Sequence, residues 1–168
     1  TDDATVPTGN AYILLFGAED AHAFARPIPA KQYAELPQED QAMLSMRIGE
    51  RVSIFTEEAR TDGPVANCRE GTMVLGPCIQ VGSFNVQAYQ DEEEMLDWYA
   101  NWRVPSMHKM PGCLGARKLV SVAGWAKHGV LYEFLSLEAR NRHFPNHESS
   151  NPEMNAWSAR LVPKLVHA

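Results

Sequence analysis

The chain has 168 residues, 45% hydrophobic and 21% charged, the proportions of a globular chain long enough for one domain or a compact tandem of two small ones. With 15 Lys and Arg against 21 Asp and Glu the formal net charge is −6, and no basic cluster exceeds a pair, which argues against a nucleic-acid partner. No apolar run approaches the ~18–20 residues that span a bilayer, and the start TDDATVPTGN has neither a basic nor an apolar leader pattern, so no membrane partner and a cytoplasmic location are expected.

Residues 1–10 read as a loosely held arm. Tyr12 to Phe16 is a continuous apolar run of the kind that forms a buried strand, and Gly17 to Ala21 starts a helix that Pro27 and Pro29 cut short. A helical pattern returns from Lys31 to Ile48 with Pro37 near a second start, and Arg51 to Thr56 reads as a strand. The stretch from Thr61 to Cys78, with Gly63-Pro64, Gly71 and Gly76-Pro77, is the best linker candidate. Residues 12–21 align with 130–139 at a constant offset of 118, strand on strand and helix start on helix start. The expected organisation is a partial unit over 1–65, a linker over 66–78 and a complete unit over 79–168, packed as one globular domain.

In the second half, Phe84, Val86 and Ala88 alternate with Asn85, Gln87 and Tyr89, giving a strand with one apolar and one polar face. Asp91 to Glu94 crowd a first helical turn, where carboxylates favour the unpaired N–H groups, and Asp91 with Glu94 has the spacing of a capping box. Leu96, Tyr99, Arg103 and Met107 then fall on one helical stripe, with Met95, Trp98 and Trp102 beside it. Pro105 lacks the helical N–H and should kink or stop this helix near Val104. After Pro111-Gly112 the segments Ala116–Val122 and Val130–Phe134 read as a hairpin.

These pieces resemble a known family. Trp98-Tyr99, Pro105, Pro111-Gly112, Gly115-Ala116-Arg117, the strand Leu131 to Phe134 and the helix start Ser136 to Ala139 are similar to the EthD-like branch of the dimeric α/β-barrel proteins, over about 40% of the chain. The resemblance implies an α+β, ferredoxin-like β-α-β-β-α unit that pairs its sheet with that of a second unit. Five or six strands are too few to close a barrel alone, so a homodimer is expected. The chain departs from the family at one place: where many relatives carry Glu-His in W-Y-x-x-E-H-x-P, it has Trp102 and Arg103. A guanidinium is no base near neutral pH, but it holds an oxyanion or carbonyl oxygen well.

The expected site is a cleft between this helix and the sheet. Arg103, His108 and Tyr99 are the candidate catalytic residues, with Asn85, Gln87, Tyr89 and Trp102 as candidate substrate contacts. The plain alternative is that Trp98 and Trp102 are core, that Tyr99 is core with a satisfied hydroxyl, and that Arg103 pairs with a surface carboxylate.

His143 and His147 with Glu148 have a chelating spacing, but Pro145 interrupts it and no third ligand is obvious, so no metal is expected. Cys113 near His108 lacks an orienting third group, and His22, His128 and His167 stand alone as structural or exposed residues. The odd set Cys68, Cys78 and Cys113 has no CxxC spacing and reads as free thiols. No GxGxxG, P-loop, GxSxG or HExxH occurs.

The resemblance thus implies a cofactor-independent enzyme acting on a small hydrophobic or aromatic metabolite by proton transfer and oxyanion stabilisation, of the isomerase, cyclase, lyase or cofactorless monooxygenase type. The alternatives are a non-catalytic binding or assembly module and a haem-handling protein.

Overall fold

A computed structural model describes residues 12–69, 75–149 and 151–167. The arm at 1–10 and the middle of the linker, 70–74, lie outside the described residues. The elements run α1 (Pro29–Ala34), α2 (Gln38–Ser45), β1 (Ser53–Asp62), β2 (Cys78–Val86), α3 (Tyr89–Trp98), α4 (Val104–Ser106), β3 (Cys113–Gly124), β4 (His128–Phe134), α5 (Leu137–His143), α6 (Pro152–Leu161) and β5 (Leu165–His167).

The five strands form one antiparallel sheet in the order β1-β3-β4-β2-β5. Leaving out β1, this is a β-α-β-β-α-β unit whose first and third strands are neighbours, an α+β arrangement compatible with a ferredoxin-like fold. β4 is central, and all seven of its residues are buried. Its even-numbered side chains Val130, Tyr132 and Phe134 join the core with Phe84, Met95, Trp98, Tyr99, Met107 and Leu161 from the helix-covered side. On the opposite face Leu131 is 7% and Glu133 0% exposed, and Arg69 and the Gly76 amide from the linker close over the Glu133 carboxylate.

The predicted aromatic helix forms, with two differences. It starts at Tyr89 behind Ala88, without a side-chain cap; Asp91 and Glu94 instead bind Lys164, at 2.6 and 3.1 Å, and so pin the chain after α6. The helix does not stop at Val104. A wide π turn over Tyr99–Arg103 precedes Pro105, and helical geometry continues to Ser106. Such a turn accommodates the missing proline N–H and the bulk of its ring. It also resets which side chains point at the sheet.

The two glycines of the quoted motif have separate reasons. Gly112 adopts φ +75°, and a Cβ there would sit 2.6 Å from the Ala139 Cβ; a Cβ on Gly115 would lie 3.1 Å from the Thr61 carbonyl oxygen across the β1–β3 ladder. Ser136 caps α5 by accepting from the Ala139 amide at 3.1 Å, as the helix start predicted.

The N-terminal stretch behaves differently. Tyr12–Phe16 carries no strand and is exposed throughout, Tyr12 at 86% and Phe16 at 77%. The predicted helical segments form as a short 3-10 turn at Ala21–Ala25, α1 and α2, yet none contains a buried residue. The strand expected at 51–56 is β1, which adds to the edge of β3.

Candidate functional site

The π turn aims Arg103 back over the sheet. Its Nε donates to the Tyr132 hydroxyl at 2.9 Å, and its guanidinium carbon lies 5.4 to 5.6 Å from the ring centroids of Trp98, Tyr132 and Phe144. Its Nη1 meets His147 Nε2 at 3.0 Å and pairs with the Glu148 carboxylate. The His147 Nδ1 lies 2.6 Å from the Phe144 carbonyl oxygen, which only accepts, so the ring proton is on Nδ1 and Nε2 is the lone-pair nitrogen that accepts from Arg103. Burial first, then the Arg103 charge, lowers the His147 pKa to about 4, which keeps this imidazole neutral.

These groups line a cavity of about 350 Å³ with Arg140, Phe144, Pro145 and Asn146. The size lies at the small end of the usual ligand-site range. Arg140 donates to Gln80 Oε1 at 2.9 Å and lies over the other participant in the aromatic packing, Phe144, at 5.6 Å. His147 stacks on that same ring with centroids 4.9 Å apart.

Tyr99 is joined to the site indirectly. It is 5% exposed, and burial followed by the neighbouring Tyr132 phenol holds its pKa well above the ordinary value. It is therefore a core ring beside Tyr132 and not an acid near neutral pH. His108 is elsewhere: it is exposed, and its Nδ1 donates to the Asp62 carbonyl at 3.0 Å, at the end of β1. Asn85 clasps the β3–β4 turn, accepting from the Lys127 amide at 2.8 Å and donating to the Trp125 carbonyl at 3.3 Å. Gln87 is exposed, as is Tyr89, whose hydroxyl donates to Glu93 at 2.9 Å. Trp102 packs half-buried against the core. None of these last five residues lines the Arg103 cavity.

The imidazole beside Arg103 is thus His147, whose spacing from His143 and Glu148 resembles that of a metal ligand. The signal that pointed to it was present: two histidines and a carboxylate around Pro145. What no spacing revealed is that the turn after α5 folds back to the π turn 44 residues earlier. Among the described residues no group of three or more His, Cys, Asp or Glu side chains is placed to hold a metal ion. Cys113 is fully buried, and burial pushes its thiol up to about 11, which removes it as a nucleophile. All three cysteines are free, as expected.

A second polar cluster lies under the same helix. Lys118, 1% exposed, donates to Glu58 Oε2 at 3.1 Å, the Leu119 carbonyl at 3.0 Å and His128 Nδ1 at 3.1 Å. The His128 Nε2 then donates to Glu92 at 3.0 Å. His128 is therefore neither isolated nor exposed. Burial lowers the pKa of both Lys118 and His128. Every ammonium proton has an acceptor, and the aromatic rings of Phe84 and Tyr99 seal the cluster.

No protein-family model, no curated protein and no solved structure matches this chain.

Proposed function

We propose that the chain is an EthD-like protein of the dimeric α/β-barrel kind that binds a small carbonyl-bearing metabolite in the Arg103 cavity and moves a proton on it. The observation that carries this reading is a fixed guanidinium beside a neutral imidazole whose lone pair faces it, both on the wall of a cavity large enough for a small ring. In the proposed step the substrate carbonyl oxygen replaces His147 Nε2 as acceptor of the Arg103 Nη1 N–H, and the freed Nε2 lone pair takes a proton from the carbon next to the carbonyl. The electron pair of that C–H bond becomes an enolate whose oxygen is held by the Arg103 Nη1 donor, and His147 returns the proton to another carbon or to the same one. The negative charge that forms offsets the repulsion between the imidazolium and Arg103. Tyr132 keeps the guanidinium in place, and no cofactor is required for this step.

The strand order around β4 and the separate steric reasons for Gly112 and Gly115 support the family reading. Among the described residues, half of the large apolar side chains that remain exposed fall between Tyr12 and Ile48, and Ile79 is 36% exposed on the outer sheet face; this surface supports a homodimer. A second reading, a binding module without turnover, is favoured by the His147 pKa of about 4, since so weak a base abstracts protons slowly. The test is deuterium uptake at acidic C–H positions of a panel of aryl ketones and β-dicarbonyls in D2O, followed by NMR. Acceleration by the native chain, lost in folded Arg103→Met and His147→Gln variants, is expected. Binding of a panel member without exchange would select the module reading, and neither binding nor exchange would overturn both.

A further inference from the structure

Among the described residues Glu148 is the one acidic side chain on the cavity wall, alongside Arg103 and Arg140. Its side chain is 17% exposed and is ion-paired with the Arg103 guanidinium. The residue belongs to the turn that follows α5 rather than to a helix or strand, so its side chain leaves the cavity without disturbing the sheet. Beside it His147 stacks on the buried Phe144 ring, and the Arg103 and Arg140 guanidinium groups lie near that ring. A planar anion with one edge on the Arg103 guanidinium, in the place of the Glu148 carboxylate, matches these features.

We propose that this cavity takes a single-ring planar carboxylate, and that Glu148 fills the carboxylate position of the ligand-free chain and is displaced on binding. This rests on the cavity being a ligand site, as in the function proposed above, but not on any proton transfer there. It makes three demands. A ligand carboxylate must compete with Glu148, so removing that charge must strengthen binding. Arg103 must contribute a fork rather than a bare charge. The neutral amide of the same ring must not bind.

The probe is benzoate, titrated by calorimetry into the native chain and into Glu148→Gln, Glu148→Ala, Arg103→Lys and Arg103→Met variants whose folding is checked by circular dichroism. Phenyl phosphate and benzamide serve as comparison ligands. Expected are at least tenfold tighter benzoate binding by both Glu148 variants, at least tenfold weaker binding by Arg103→Lys, none by Arg103→Met, weaker binding of phenyl phosphate and none of benzamide. Unchanged or weaker benzoate binding in both Glu148 variants overturns the proposal, as does equal binding of benzamide or the absence of benzoate binding in every variant. Preferred binding of phenyl phosphate overturns the carboxylate assignment. Tight benzoate binding with no deuterium exchange sinks the proton-transfer reading alone, so the two failures are told apart.

Discussion

Two polar clusters flank Tyr99 on the same side of the sheet and use the same three kinds of group, a cation, an imidazole and a carboxylate. In the Lys118 cluster every partner comes from a strand or from α3, all three ammonium protons are bonded, and the ion is 1% exposed. In the Arg103 cluster the carboxylate comes from a turn, and the group borders an open cavity of about 350 Å³. Identical chemistry thus gives a closed strut in one place and an exchangeable contact in the other. What separates them is whether the anion is held by the sheet or by a segment free to move aside.

The contrast is tested most strongly by deleting each cation. Lys118→Met should cost about 3–5 kcal/mol by urea unfolding, because it strips the partner from buried polar groups. Arg103→Met should cost only about 1–2 kcal/mol, since its stem packing survives and Glu148 is next to solvent. Equal losses would erase the distinction between strut and site.

The pH profile sharpens it further. His147, with its pKa lowered to about 4, and His128, also lowered by burial, bind fewer protons folded than unfolded. Stability is therefore complete above the unfolded imidazole value near 6.5 and falls as pH drops from there towards about 4, by at most roughly 3 kcal/mol for His147. Below that range Glu57, Glu92 and Glu94, whose pKa values are lowered by their basic partners, add a further loss. In thermal melts His147→Gln should flatten the upper part of this slope and leave the His128 share.

Smaller effects mark the exchangeable side. Glu148→Gln should change stability by less than about 1 kcal/mol, and the exposed His108→Ala by no more than ~0.5 kcal/mol, both read from urea midpoints. A large loss in Glu148→Gln would make that carboxylate a strut like Glu58.

Much of the second half was legible because its signals are local. The alternation before Ala88, the apolar face with Met95 and Trp98, Pro111-Gly112 and the helix start at Ser136 each depend on a few neighbouring residues and appear where the pattern placed them, whereas Leu96, on the predicted stripe with Tyr99 and Met107, is 52% exposed. Tyr12–Phe16 shows the limit of such reasoning. Five apolar residues in a row have the composition of a buried strand, but burial needs a surface to be buried against, and among the described residues no strand pairs with them.

By itself the sequence determined an α+β chain with an aromatic helix against a sheet, a guanidinium at position 103 and an acidic surface. Only the tertiary structure decided which imidazole serves that guanidinium. His108 is five residues away in the chain, yet the π turn before Pro105 and the strand geometry turn it to Asp62, while the turn after α5 brings His147 within 3.0 Å of Arg103. Spacing along a helix fixes a direction only while the helix stays regular. Contacts between segments 44 residues apart are set by how the sheet orders its strands, which no local pattern encodes.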